Sequence, residues 1–240
     1  CEGPYMADYH DMHIMENGNY ILQAYDSRFI DMSNFVDGGQ EVSWIKGILI
    51  LQEFNLDHEL IFHWDAWDHL DIVDYSNINL TVDNITWMHG NSIEVDNDGH
   101  LIISNRVSSE IFKINTQNNE VMWHFGGPLN EFDILNDPNQ GFSMQHDVRR
   151  LENGNIMLFD NGVAHTPPIS RVVEYELDEY QKKATLVWEY SHPDSLFGLA
   201  MGSSQRLPNG NTFINWGSIS SHGAIITEVT HEGIIAFEIR

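Results

Sequence analysis

Histidine is the residue type in this chain whose number and placement could support chemistry. The sequence contains 13 histidines. A neutral imidazole can act as a nucleophile or transfer a proton, and a protonated one can hold an anion. Grouped with arginine in an acidic chain, histidines would form a local positive site for an anion. The alternative for each residue is a polar strand-end position satisfied by backbone groups. The available residues are His10, His13, His69, His89, His146, His165, Arg106 and Arg171.

A metal site is the competing chemistry. Cys1 is the only cysteine, so zinc would need His, Asp or Glu ligands, and a disulfide within the chain is impossible. His10 and His13 are three residues apart, which places them on opposite sides of a strand unless that strand begins after His10. A second group that could hold an ion consists of His63, Asp65, Asp68 and His69.

Calcium is suggested by one acidic segment, Asp96-Asn97-Asp98-Gly99. The full spacing of a calcium-binding EF-hand loop is missing, and a hairpin turn explains the segment well. We therefore expect no cofactor, with calcium as the open alternative.

A sequence repeat predicts the β-strands and turns that carry these residues. A polar start, an apolar step, an Asn-Gly or Asp-Gly turn and a strand recur four times. The turn glycines are Gly18, Gly99, Gly154 and Gly210, spaced 81, 55 and 56 residues apart. Such dipeptides are strong hairpin signals and predict type I′ turns. Two further strand-like segments follow each hairpin, as in 110–114 and 120–125.

Each repeat thus predicts four short antiparallel strands. Four-stranded units in tandem are typical of a β-propeller, so we predict an all-β fold with four visible blades. The blades are expected at about 8–70, 87–127, 143–190 and 200–240, in a single propeller domain or propeller fragment. The insert at 64–86 could hold a short helix or a loop at the rim.

Charge excludes several classes of partner. The 240 residues contain 11 Lys+Arg and 36 Asp+Glu, giving a net charge of −25. The few basic residues are scattered, which argues against nucleic acid and against an anionic membrane surface. No apolar run is long enough for a transmembrane helix. A secreted, periplasmic or cell-surface location is expected. A first residue Cys1 fits either a lipidated cysteine or, as the simpler interpretation, the beginning of a fragment.

Three of the most specific segments are Trp87-Met88-His89-Gly90-Asn91, Gln145-His146-Asp147 and Asp160-Asn161-Gly162. With these segments in this order, the sequence resembles the arylsulfotransferase-like family over most of the chain. The resemblance implies a six-bladed propeller that moves a sulfuryl group from an aryl sulfate to a phenol through a sulfohistidine, without PAPS. It also implies that His89 and His146 lie at the central site.

Two positions depart from the family pattern. An active-site arginine is expected just after Asp160-Asn161-Gly162, where the chain has Val163-Ala164-His165; Arg171 follows six residues later. The sulfo-accepting histidine is expected near 201–204, where the chain reads Met-Gly-Ser-Ser, flanked by His192 and His222. We predict the catalytic residues His89, His146 and His222. We predict the substrate-binding residues His10, His69, Asn91, Arg106, His165 and Arg171.

The leading functional hypothesis is an arylsulfotransferase-like enzyme whose partner is a small aromatic sulfate or phenol. The second is a propeller without catalysis that serves as an extracellular binding or assembly module. A third is a hydrolase or lyase that acts on a sulfated or aromatic substrate. Self-association that completes a ring is an expected partner interaction.

Overall fold

The computed structural model describes residues 1–219 and 223–240. It divides into two compact units, Cys1–Asn130 and Glu131–Arg240. The predicted class is confirmed: the fold is an all-β propeller type built from antiparallel blade sheets, and each unit contains two of them.

The first unit contains sheets one and two. Sheet one has the order β1-β2-β3-β4, with β5 paired parallel to β3, and sheet two has the order β6-β7-β8-β9. The predicted insert at 64–86 contains helix α1 (Ala66–His69) and the 3-10 turn Ile72–Asp74. Another 3-10 turn, Met32–Asn34, lies between the second and third strands of sheet one. The strands are β1 (Met6–Ile14), β2 (Tyr20–Ile30), β3 (Ser43–Phe54), β4 (Leu60–Asp65), β5 (Asn84–Thr86), β6 (Gly90–Val95), β7 (Leu101–Asn105), β8 (Glu110–Ile114) and β9 (Val121–Gly126).

The second unit contains sheets three and four. Sheet three has the order β10-β14-β13-β12-β11, in which β10 is parallel to β14, and sheet four has the order β15-β16-β17-β18. Sheets one and three therefore each carry a fifth short strand beyond the predicted four. The strands are β10 (Asp133–Leu135), β11 (His146–Arg150), β12 (Ile156–Asp160), β13 (Arg171–Asp178), β14 (Lys183–Ser191), β15 (Ser203–Arg206), β16 (Thr212–Asn215), β17 (Ile226–Val229) and β18 (Ile235–Ile239).

The hairpin turns lie where the repeat predicts, but their type is different. In the first, the Gly18 N–H donates to the Met15 carbonyl at 2.9 Å and the Met15 N–H donates to the Asn19 carbonyl at 2.8 Å. Gly18 has φ 84°, whereas Asn17 is not among the residues with positive φ. This is a type I turn followed by a left-handed glycine, which forms a bulge. The predicted type I′ turn is wrong because it needs positive φ at both central residues.

A carboxylate on the third strand holds the turn in three of the four sheets. The side-chain amides of Asn19, Asn155 and Asn211 donate to acidic residues at 2.6–2.8 Å; these are Glu53, Glu174 and Glu228, in the same order. In sheet two the charges are exchanged: the third strand carries the cation and the turn carries the carboxylates. Its third strand provides the buried Lys113, whose ammonium lies 2.7 Å from both Asp96 and Asp98 of the turn.

Tryptophans connect neighbouring sheets within each unit. Trp64 of β4 is buried and packs against Phe112 of β8, with ring centroids 5.8 Å apart and an interplanar angle of 34°. Its indole N–H donates to the Asn119 carbonyl at 3.1 Å. In the second unit, Trp188 donates to the His231 carbonyl at 2.8 Å. Burying such rings supplies much of the apolar stabilisation between blades. Among the described residues, none belongs to a helix that is long and apolar enough to cross a membrane.

Candidate functional site

The first unit brings two of the predicted histidines into contact. His10 lies on β1 where pairing with β2 is irregular, between Ala7 and Met12. His89 immediately precedes β6. The two imidazole rings meet edge to face, with centroids 4.6 Å apart and an interplanar angle of 82°. The irregular pairing of β1 matters because a bulge redirects a side chain that regular alternation would place on the other face.

His10 is oriented by an acidic neighbour. Its Nδ1 lies 2.7 Å from Asp8 Oδ1, and Asp8 also accepts a hydrogen bond from Gln23 Nε2 at 3.0 Å. The His10 ring stacks on Tyr9 with centroids 4.9 Å apart. The carboxylate of Asp8 favours a proton on His10 Nδ1. The resulting hydrogen bond fixes the orientation of the His10 ring, which meets the His89 ring edge to face.

His89 is held through its backbone by the end of β7. Its N–H donates to Asn105 Oδ1 at 2.9 Å, and its carbonyl accepts from the Arg106 N–H at 2.9 Å. Tyr25 packs beside its ring at 6.5 Å and donates its hydroxyl to the Gly90 carbonyl at 3.0 Å. We call His10, His89 and Arg106 the histidine cluster.

The electrostatics of the histidine cluster keep His89 neutral. Partial burial lowers the pKa of His89 below its ordinary value; the nearby His10 and Arg106 lower this pKa further, and Asp8 opposes them only in part. Burial also lowers the pKa of Arg106. A neutral imidazole near a guanidinium and a second imidazole offers a lone pair beside groups that favour an anion.

Both ring nitrogens of His146, in the second unit, form hydrogen bonds with other residues of the protein. Its Nδ1 lies 2.7 Å from Asn161 Oδ1, and its Nε2 accepts the Met201 N–H at 3.2 Å. Asn161 Nδ2 donates to the Gly198 and Met201 carbonyls, so its oxygen must accept from His146. The network therefore sets a neutral His146 protonated at Nδ1, and it places the 201–204 segment directly beside this histidine.

Arg171 is buried and fully engaged by acidic groups and one carbonyl. Its Nε donates to Asp160 Oδ2 at 2.9 Å, and its terminal nitrogens donate to Asp137, Glu189 and the Gly141 carbonyl at 2.7–3.0 Å. These five bonds match the five donors of a guanidinium. Burial would lower the pKa of Arg171, but the carboxylates outweigh it and raise the pKa.

His165 joins the same network through Asp160. Its Nε2 lies 2.7 Å from Asp160 Oδ2, while Asp160 Oδ1 accepts the Ser143 and Gly162 N–H groups. Burial raises the pKa of Asp137, but hydrogen bonds from Arg171 and Tyr175 outweigh it and hold this pKa below its ordinary value. We call Asp137, Asp160, His165 and Arg171 the arginine network.

His69 lies apart from the histidine cluster, at the opposite edge of sheet one. It ends α1, stacks on Trp64 at 5.5 Å, and lines a cavity of about 270 Å³ together with Phe35 and Trp67. Asn91 is buried on β6. His222 lies outside the described residues. The roles given to these residues stay predictions.

The acidic turn proposed for calcium already contains a cation of the protein, since the Lys113 ammonium contacts Asp96 and Asp98. Asp65 of the other candidate group caps α1 and pairs with Arg28 at 2.6 Å. Within residues 1–219 and 223–240, no group of three or more His, Cys, Asp or Glu side chains could hold a metal ion.

The repeat contains a register that the sequence reasoning missed. His10, Asn91, His146 and Gly202 all lie eight residues before their turn glycine, whereas His89 lies ten before. His10 and His146 are therefore equivalent positions, and His89 is the counterpart of Asp8. Counting from the glycines would have found this. Asp8, Tyr25 and Asn105 also went unnoticed, because their importance depends on contacts between strands.

Comparison with known proteins adds a family and a fold. The family model described as "Arylsulfotransferase (ASST)" matches residues 3–240. No curated protein sequence matches. A crystal structure of a protein of unknown function from Bacteroides caccae aligns with TM-score 0.58 and 14% identity, covering 100% of this chain and 69% of the other.

Two further solved structures align at TM-score 0.51. One is the catalytically inactive H270A virginiamycin B lyase from Staphylococcus aureus with quinupristin, at 11% identity, covering 98% of this chain and 56% of the lyase. The other is PorZ, a surface component of the type-IX secretion system of Porphyromonas gingivalis, at 12% identity, covering 92% and 24%. At these identities the likeness concerns the fold alone. The chain spans little more than half of the lyase.

Proposed function

The chain belongs to the arylsulfotransferase family, and we propose that it moves a sulfuryl group from an aryl sulfate to a phenolic acceptor through a histidine. The observation that supports this proposal best is the histidine cluster: a neutral His89 in ring contact with His10 and beside Arg106. The arginine network supports it less, because its donors are already engaged.

The proposed reaction has two displacements at sulfur. A lone pair of neutral His89 attacks the sulfur, an N–S bond forms, and the S–O bond to the aryl group breaks, so that an aryl oxide leaves. The acceptor phenol then attacks the same sulfur through oxygen and loses its proton to water. The N–S bond breaks and its electron pair returns to the imidazole. No proton must leave His89 before the first attack, so its lowered pKa is an advantage.

Arg106 and His10 would stabilise the transferring group. Charge spreads over the sulfuryl oxygens in the transition state, and fixed positive or donor groups around them lower the barrier. His10 would donate from a ring oriented by Asp8. His146 and His222 stay proposed contributors to catalysis, and Asn91, His165 and His69 stay proposed contributors to substrate binding. A secreted location and self-association are also proposals.

The test is an assay with 4-nitrophenyl sulfate and phenol. We expect nitrophenol release and a histidine-linked mass increase of about 80 Da, the mass of a sulfuryl group on an activated nucleophile. His89→Ala should reduce the rate by roughly 10⁴–10⁶, the scale expected when a covalent nucleophile is removed. His58→Asn is the matched control, since His58 lies in a turn of the same unit at φ 62°, which Asn tolerates. Full activity in His89→Ala would contradict the proposal.

A second function is favoured by a different observation. The position where the resemblance expects the sulfo-accepting histidine is occupied by Met201 and its neighbours, and both nitrogens of the nearby His146 are engaged. These facts favour a binding module without transfer. In that case 4-nitrophenyl sulfate would bind, as measured by calorimetry, with no nitrophenol release. Release that depends on His89 would exclude it.

A further inference from the structure

A buried hydrogen-bond chain leads away from His89 along the end of sheet two. The His89 N–H donates to Asn105 Oδ1 at 2.9 Å, Asn105 Nδ2 donates to Ser108 Oγ at 2.5 Å, and the Ser108 hydroxyl donates to Glu110 Oε2 at 3.0 Å. The other oxygen of Glu110 lies 2.7 Å from His124 Nδ1. Asn105 and Glu110 are fully buried, and Ser108 is 3% exposed.

The direction of every bond in this chain follows from the carboxylate at its end. An ionised Glu110 only accepts, so the Ser108 hydroxyl must donate to it. The oxygen of Ser108 is then available to accept, and it takes a proton of the Asn105 amide. Asn105 is thereby turned with its oxygen towards the His89 N–H. With the amide reversed, two N–H donors would face each other in a buried place, and both would be left without an acceptor.

We propose that Glu110 is a positioning residue for His89, acting through Ser108 and Asn105. The inference rests on the proposed function, because it gives these three residues the role of holding the attacking imidazole in place. His124 supports Glu110, since a buried carboxylate needs a close partner to offset its loss of hydration. The Arg106 N–H donates to the His89 carbonyl, so hydrogen bonds fix both the N–H and the carbonyl of His89.

A purely structural role for the chain makes a different prediction. In that case the hydrogen bonds of Asn105, Ser108 and Glu110 would only stabilise the turn between β7 and β8. Their loss would lower the free energy of unfolding without moving the His89 ring. A positioning role predicts effects centred on His89 itself. The distinguishing measurements are the hydrogen exchange of the His89 amide, the ring pKa of His89 by NMR, and the separation of kcat from KM.

Ser108→Ala is the primary variant, since it removes the middle of the chain with the loss of one oxygen atom. We expect exchange of the His89 amide to quicken at least tenfold, exchange of the Ile103 amide in the same sheet to stay unchanged, and the ring pKa of His89 to move. We expect kcat to fall about tenfold, with KM changed less than twofold. Ser108→Thr keeps the hydroxyl and should restore these values. Glu110→Gln provides a second test should Ser108→Ala fold poorly.

The outcomes separate this inference from the proposed function. Unchanged exchange and ring pKa at His89 in both variants would overturn the positioning role, whatever the enzyme activity. Faster exchange with an unchanged ring pKa and kcat would also overturn it, in favour of the structural role. If the unmodified protein releases no nitrophenol, the proposed function fails, and the exchange and ring pKa at His89 still decide whether Glu110 positions this residue.

Discussion

The histidine cluster and the arginine network combine the same residue types in opposite ways. In the histidine cluster, Asp8 orients the His10 ring, and this ring contacts His89 edge to face. In the arginine network, Arg171 binds Asp137, Asp160 and Glu189. The pKa of Arg106 is lowered by burial, whereas carboxylates raise the pKa of Arg171.

This difference shows that the type of a residue and its position in the blade do not determine whether it stabilises the fold or can contact a ligand. His10 and His146 are equivalent by the repeat, yet the His10 ring contacts another histidine while the His146 ring is satisfied by Asn161 and Met201. What separates them is the supply of acceptors and donors nearby. A cation whose donors are all engaged stabilises the fold and has little left for an anion.

The largest expected effect is the loss of stability when the arginine network is broken. Arg171→Leu should reduce the free energy of unfolding by about 3–5 kcal/mol, because Asp137 and Asp160 would be left buried without their cation. The measurement is urea unfolding followed by fluorescence. Arg106→Leu is the matched variant in the histidine cluster, and it should cost about 1 kcal/mol. Equal losses in the two variants would erase the contrast between the regions.

A smaller effect is expected at the turns that carry the repeat. Asn155→Ala should cost about 1–2 kcal/mol, since it removes a hydrogen bond to the buried carboxylate of Glu174. Asn118→Ala, whose amide contacts Glu120 in an exposed turn, is the control and should cost less than about 0.5 kcal/mol. Comparable midpoints for both variants in urea would show that the turn-holding bonds are not a stabilising part of the repeat.

These contacts also show how far the sequence alone can reach. Turns at Gly18, Gly99, Gly154 and Gly210 were predictable because an Asn-Gly or Asp-Gly pair between alternating apolar residues is a local signal. The turn type was not, since the conformation of the residue before glycine depends on how the strands pair. Likewise, β5 and β10 were missed because three-residue strands carry almost no local pattern.

The candidate site was predictable in its residue types but not in its partners. His10 and His89 are 79 positions apart, and their rings meet because β1 of sheet one packs against β6 of sheet two. Arg171 looks available in sequence, but its partners Asp137 and Gly141 come from 34 and 30 residues earlier. Such long-range choices are decided by packing and charge compensation, which composition and spacing do not encode.

Acid should affect the histidine cluster in a direction set by His89. Because its pKa is lower in the folded chain than in the unfolded one, the unfolded chain binds more protons between the two values. Stability should therefore fall as the pH drops below the ordinary histidine value, and level off below the folded pKa. The measurement is urea unfolding at a series of pH values, and His89→Gln should remove this part of the slope. An unchanged slope in His89→Gln would place the acid sensitivity elsewhere, for example in the arginine network.

The smallest expected effect concerns salt, and it tests the histidine cluster against the charge of the whole chain. An anionic aryl sulfate must approach a protein of net charge −25 to reach a few positive groups. Like charges slow this approach, and salt screens them over a Debye length of about 10 Å at 0.1 M. Raising the ionic strength from about 0.01 M to 0.1 M should therefore increase kcat/KM roughly twofold, while kcat stays constant. Steady-state kinetics with 4-nitrophenyl sulfate measure both constants. A fall of kcat/KM with added salt would mean that the local field of Arg106 and His10 already dominates the approach, and that the surrounding carboxylates lie too far from the path of the substrate to oppose it.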